Sequence, residues 1–270
     1  MNSEVKLALV LQNSIPGNTD KNLANCLEFV RRAALRQASI ILFPEMNITG
    51  YLSEKDIRSF AEIIPGKITR ALCAAAEKKS ITILAGMAEK DRQGKIFAAH
   101  IAALPDGSVF IYRKIHISPP EKNIFSKGSK IELCKTEDIK FGIQLCYDAH
   151  FPGLATSMAV RGADIIFIPH ASPRGTPQEK FNSWMRHLRA RAFDNGIFIA
   201  ACNQVGKNGR GLSFPGVAVV IGPDGNIIKK HTAEKQGLVF ADIGQAMLDR
   251  VRNHRMRYFL PNRRNDLFKI

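Results

Sequence analysis

Pro-Asp-Gly occurs twice, at 105–107 and 223–225, each time between two apolar runs, and each of these hairpins closes the same series of elements. Proline presets the turn backbone, aspartate bonds its own main chain and glycine accepts the left-handed position, so the motif joins strands for a physical reason. Ahead of the first hairpin the chain reads as strand (5–12), helix (20–37, capped by Thr19 or Asp20), strand (40–43), helix (67–79) and strand (81–86). Leu23, Leu27, Val30, Ala34 and Leu35 give the first helix its apolar face. Ahead of the second hairpin come strand (140–145), helix (153–161), strand (164–169), a longer helix (178–195) and strand (197–203). The repetition predicts two similar α/β halves around one core, with two sheets face to face and helices outside. No Ser/Gly run or composition break separates the halves, so residues 1–270 are read as one domain.

Reactive side chains fall where these strands stop. KFGIQLCYDAHFP is nearly continuous apolar sequence up to Cys146, after which Tyr147, Asp148 and His150 break the run. Open α/β sheets place ligands at such carboxyl ends. ASIILFPEMNITGY ends another strand at Glu45, and SVFIYRKIHIS carries Lys114 just past a third. A cysteine ending a buried strand is more often an inert core residue. Cys146 departs from that norm because polar and basic groups are at hand, and a nearby ammonium is expected to lower the pKa of its thiol. Partial burial is expected to raise the Glu45 carboxyl, which suits a general base. Lys114, in the basic pair Arg113-Lys114, reads alone as a solvated charge and gains meaning only from the combination.

Other chemistries fit less well. His150 follows Cys146 by four residues and could serve a Cys-His pair, but no Asn or Asp orienter stands out. Zinc through Cys146, His150 and His170, which ends the next strand, matches no familiar ligand spacing, so no metal is expected. PGKIT at 65–69 lacks the glycine spacing of a phosphate loop, and Gly206, Gly209 and Gly211 are in the wrong order for a dinucleotide fingerprint. Trp184 reads as core more readily than as pocket lining. Five scattered cysteines without a CxxC pair point to reduced thiols in the cytoplasm. No apolar run is long enough to span a bilayer.

The net charge of +15 thickens toward DRVRNHRMRYFLPNRRNDLFKI. A basic tail can hold nucleic acid, but here the arginines alternate with Val251, Met256, Tyr258, Phe259, Leu260, Leu267 and Phe268, which a solvated arm does not require. The pattern favours a tail packed on its own body or on a second subunit, and so residues 243–270 are expected at the interface of a homodimer or higher even oligomer.

Taken together, FPEMNITGY, YRKIHI and LCYDAHFP resemble, in order, the glutamate, lysine and cysteine motifs of the nitrilase, or carbon-nitrogen hydrolase, superfamily. Glu121 in SPPEKNIFSKG fits the second glutamate of that family; RARAFDNGIFIAACNQVG and NRRNDLF resemble its later blocks, so the resemblance spans the chain. It implies a four-layer αββα sandwich and cofactor-free hydrolysis of a non-peptide C–N bond in a small amide or N-carbamoyl compound. Cys146 would attack, Glu45 would move protons, Lys114 and the Tyr147 N–H would hold the oxyanion, and Glu121 would support Lys114. Cys-Tyr-Asp favours an amidase over a nitrilase acting on a small nitrile. His150 stands where family amidases often carry arginine; substrate contacts are expected from His150, His170 and Arg174 in HASPRGTP, of which Arg174 could replace the missing charge. The reading from a different class is a basic nucleic-acid-binding protein on a retired hydrolase fold.

Overall fold

The computed structural model describes residues 4–267. The first half runs β1 (Val5–Leu11), α1 (Thr19–Ala34), β2 (Ile40–Leu42), α2 (Lys67–Lys79), β3 (Thr82–Lys90), β4 (Ile96–Ala103) and β5 (Val109–Arg113). The second runs β6 (Cys134–Lys135), β7 (Lys140–Ile143), α3 (Pro152–Val160), β8 (Ile165–His170), α4 (Pro177–Met185), α5 (Leu188–Asn195) and β9 (Phe198–Asn203). It continues through the short pair β10 (Gly206–Lys207) and β11 (Ser213–Phe214) to β12 (Gly216–Ile221), β13 (Ile227–Ala233), β14 (Gly237–Ile243) and α6 (Gln245–Arg252).

Two six-stranded sheets form, ordered β14-β1-β2-β3-β4-β5 and β13-β12-β9-β8-β7-β6. In each, three neighbouring strands are parallel (β1, β2, β3 and β7, β8, β9) and the outer pairings are antiparallel. Side-chain alternation decides the layering. Val5, Leu7, Leu9 and Leu11 of β1 enter the core between the sheets, while Ala8 and Val10 join Leu23, Cys26, Phe29 and Val30 of α1 and Ile68, Leu72 and Ala76 of α2 on the outer face. Burying one such aliphatic side chain contributes about 1.5–3 kcal/mol. The arrangement is the αββα sandwich expected from the sequence.

The two Pro-Asp-Gly turns have the same wiring. Gly107 and Gly225 take φ of 81° and 76°, and the Asp106 and Asp224 carboxylates accept the N–H two residues on. Other details differ from expectation. The first helix begins at Thr19, with Asn18 at the cap position and no side-chain cap bond, so neither Thr19 nor Asp20 caps it. The strand before Cys146 stops at Ile143. The long helix expected over 178–195 is two helices, parted at Arg186–His187 where Trp184 and His187 turn onto His170 and His150. β14 and α6 are not among the elements read from the sequence; β14 is held by its antiparallel register on β1. α6 is tied to the body by Arg252, whose guanidinium reaches Asp164 Oδ1 (2.9 Å) and the carbonyls of Ala163 and Gly196. Phe259 packs on Phe193, while Met256 and Leu267 are exposed; Phe268 lies outside the described residues. Among the described residues no helix is long and apolar enough to cross a membrane.

Candidate active site

Glu45 lies just past β2, in a segment where every residue from 41 to 52 is buried. Buried loop backbone must find partners, and Asn47 and Thr49 supply them. Asn47 Oδ1 accepts the Gly86 N–H (2.7 Å) and Thr49 Oγ1 the Ala88 N–H (3.0 Å), lashing the loop to β3. Gly86 has to be glycine, since a Cβ there would sit 2.5 Å from the Met46 nitrogen. From the opposite sheet Gln204 Nε2 donates to the Glu45 carbonyl (2.9 Å), and the Ala171 N–H donates to Glu45 Oε2 (3.0 Å). The carboxylate is thereby aimed.

Lys114 follows β5 and is held by backbone bonds to Ala98 and Gly128. Its Nζ donates to Glu45 Oε1 at 2.8 Å and to both Glu121 oxygens at 3.0 Å. Glu121 ends a short turn at Pro119–Glu121 and also accepts the Ser118 N–H (3.0 Å) and the Tyr51 hydroxyl (3.1 Å). All three charged residues are only 1% exposed. Burial outweighs Lys114 at Glu45 and raises its carboxyl above the usual range, as expected; the ammonium and the Ser118 bonds prevail at Glu121 and lower it. The two carboxylates hold the Lys114 ammonium firmly protonated.

Cys146 opens the turn Cys146–His150 with φ of +42°, a left-handed conformation rare for a side chain of this kind. Asp148, fully buried, fixes the turn. Its Oδ2 accepts the Leu145 N–H (3.0 Å) and the Tyr112 hydroxyl (2.8 Å), while its Oδ1 accepts the His116 N–H (2.8 Å) and meets His116 Nδ1 at 2.8 Å. One carboxylate therefore joins the cysteine turn to the segment leaving Lys114. Asp148→Asn would present an amide NH2 to donors on whichever side it faced. We expect it to cost about 2–4 kcal/mol, read from the denaturant midpoint at unchanged m.

Glu45, Lys114, Glu121, Cys146 and Tyr147 line one cavity of about 410 Å³, with Tyr51 beside Glu121 and Ser172, Pro173 and Arg174 on the far wall. It lies at the carboxyl ends of the parallel strands. A larger cavity, about 970 Å³, opens at their amino ends around Val5, Ile40 and Thr82, away from the thiol. The thiol is less acidic than the sequence leads one to expect. Lys114 does favour the thiolate, but burial and the two glutamates outweigh it, and the Cys146 pKa is raised. Arg174 sits on the rim with its backbone at φ +70°. His150 and His170 do not line the cavity: His150 is exposed and faces the His187 ring at 4.6 Å, and buried His170 stacks on Trp184 at 4.1 Å. Trp184 is core, as read. Sequence reasoning assigned no role to Tyr51 or Asp148, although both lie within the quoted motifs.

The site can accommodate a small molecule between a thiol, a fixed ammonium and an elevated carboxyl group. A family model described as carbon-nitrogen hydrolase matches residues 6–253. A probable nitrilase of Schizosaccharomyces pombe is 32% identical over 237 residues, covering 86% of this chain and 84% of the other. An omega-amidase of Homo sapiens is 28% identical over 278 residues, with 98% and 97% covered. Among solved structures, a carbon-nitrogen hydrolase from Helicobacter pylori superposes with a TM-score of 0.86 at 25% identity, covering 97% of this chain and 96% of that one.

Proposed function

The chain belongs to the carbon-nitrogen hydrolase family, and on that premise we propose that it hydrolyses a small amide or N-carbamoyl compound through a thioester on Cys146, releasing ammonia. The observation that carries this reading is the buried Glu45–Lys114–Glu121 cluster facing Cys146 in one cavity. A thiol whose pKa is raised rests as SH, so attack needs a base at the moment the S–C bond forms. Glu45 accepts that proton, and its raised affinity for protons equips it to pass the proton on to the departing nitrogen. Water then attacks the thioester, giving its proton to Glu45, which returns a proton to the departing sulfur, so that the carboxylic acid and free thiol are released. From an N-carbamoyl compound the amine leaves first and the acyl-enzyme is a thiocarbamate, whose hydrolysis gives carbamic acid; this breaks down to carbon dioxide and ammonia.

Lys114 meets the oxygen that becomes negative during each attack, assisted by the Tyr147 N–H. An ammonium already fixed there favours the transition state because it need not reorganise. Glu121, with Tyr51 behind it, keeps that ammonium in place. Similarity to a probable nitrilase gives a second reading, attack on a nitrile carbon by the same thiol. Ammonia release from paired amides, ureido acids and nitriles separates the two: turnover confined to nitriles overturns the amidase reading.

Glu45 also predicts the pH profile. A base with a raised pKa is fully ionised only above the ordinary carboxylate range, so the acid limb of kcat/KM is expected above that range. Glu45→Gln is expected to remove this limb and about two to four orders of magnitude of rate. A limb left in place would assign the proton transfer elsewhere.

A further inference from the structure

The proton acceptor Glu45 is gripped by main chain that lies just beyond the end of a strand. Ala171 is the first residue past β8, and its N–H donates to Glu45 Oε2 at 3.0 Å while Lys114 Nζ takes Oε1 at 2.8 Å. The paired register of β8 and β9 stops at His170 and Asn203, so the backbone of Ser172 must find partners elsewhere. Asn203, the fully buried last residue of β9, supplies them with its side chain. Its Oδ1 accepts the Ser172 N–H (2.9 Å) and its Nδ2 donates to the Ser172 carbonyl (3.0 Å), as a peptide group of a neighbouring strand would. The same Nδ2 donates to the carbonyl of Pro215 (2.8 Å), between β11 and β12, which ties the loop to a second segment.

The peptide that carries the Ala171 N–H is therefore pinned on both sides. Its own carbonyl, that of His170, accepts the Gln204 N–H (3.3 Å), and one residue further on Asn203 holds Ser172. Few side chains could do this work. Leucine has the volume but no polar atoms, an ionised aspartate can accept but not donate, and only an amide of this length does both. The effect reaches the carboxylate, because an N–H held against it favours the ionised form. The titratable groups that face Glu45 are Lys114, Glu121, Cys146 and Tyr51. Burial raises its carboxyl most, with Glu121 acting in the same sense, and Lys114 and the Ala171 N–H oppose them.

We propose that Asn203 is a positioning residue for the general base: acting through the main chain of Ser172 and Ala171, it holds an N–H against Glu45 Oε2 and so aims the carboxylate at the thiol. This deepens the hydrolase reading above and rests on it. Asn203 touches neither substrate nor sulfur. Its influence is on where in pH the base becomes available.

The test is the pH profile of Asn203→Ala. Without the amide the Ser172 backbone is released, the Ala171 bond weakens, and the acid limb of kcat/KM is expected to move to higher pH. At a pH on that limb kcat/KM should fall about tenfold more than on the plateau, through kcat more than through KM. Asn203→Ser, which keeps one donor and one acceptor, is expected to recover part of the shift, and it carries the same comparison should Asn203→Ala not fold. Glu45 can also be titrated without turnover in a Cys146→Ala background, from the carboxyl infrared bands that Glu45→Gln removes; Asn203→Ala is expected to move that midpoint upward. Activity lowered by one factor at every pH, with the infrared midpoint unmoved, makes Asn203 merely structural and overturns the proposal. A kinetic shift without an infrared one places the effect on another group and overturns it as well. Absence of ammonia from every amide, ureido acid and nitrile defeats the hydrolase reading instead, and the infrared titration still decides the role of Asn203.

Discussion

Cys146→Ala is expected to lower kcat for amide hydrolysis by about a millionfold, the scale seen when a nucleophile is removed from a covalent mechanism. Neither Glu45 nor Lys114 can substitute for the sulfur, since neither can form and release the acyl intermediate. Folding should survive, because Cys146 opens on the cavity and its turn is held by Asp148 through contacts that do not involve the thiol. Far-UV circular dichroism and the thermal midpoint check the second half of that statement, and single-turnover ammonia release the first. Residual turnover above about one part in a thousand would assign the nucleophile to another group.

Lys114→Ala is expected to do two separable things. It removes a fixed donor from the developing oxyanion, for a loss of about two to three orders of magnitude in kcat. The change should fall on kcat far more than on KM; a pure KM effect would make Lys114 a binding group only. It also leaves Glu45 and Glu121 buried without their shared counter-charge, at a cost of about 3–5 kcal/mol in stability.

The sign of the accompanying pH effect follows from linkage. Without the ammonium, both folded-state carboxyl pKa values move up, because burial and mutual repulsion now act unopposed. The folded protein then holds protons that the unfolded chain has already released, so stability falls as pH rises through the folded pKa values. The penalty is therefore fully present above those values and relieved as the medium becomes acid. Denaturant midpoints at a series of pH values measure it, and a penalty independent of pH would show that the lost contact was not electrostatic.

Glu45, Lys114 and Cys146 were legible in the sequence because each follows an apolar run that forms a strand: Glu45 and Cys146 follow parallel strands of the two sheets, and Lys114 follows the antiparallel β5. The paired hairpins were legible because proline, aspartate and glycine act locally. Tyr51 on Glu121 and Tyr112 on Asp148 were not, being 70 and 36 positions apart and joined only by how the sheets and loops pack. The sign of the thiol's shift was misread for the same reason. A neighbouring lysine can be read from motifs, but the depth of burial that overrides it depends on the whole surrounding shell. The break at Arg186–His187 carries no proline or glycine to announce it.

Glu45 and Lys114 follow strands of one sheet; Cys146 and the Ala171 N–H follow strands of the other. Each half of the molecule thus owns an incomplete reagent, a proton acceptor with its cation on one side and a dormant sulfhydryl on the other. Reactivity arises at the seam and exists only once the sandwich has closed. A nascent or partly unfolded chain has the sulfhydryl but not the aimed carboxylate and fixed ammonium that the proposed hydrolysis needs, so turnover is expected only from the finished architecture.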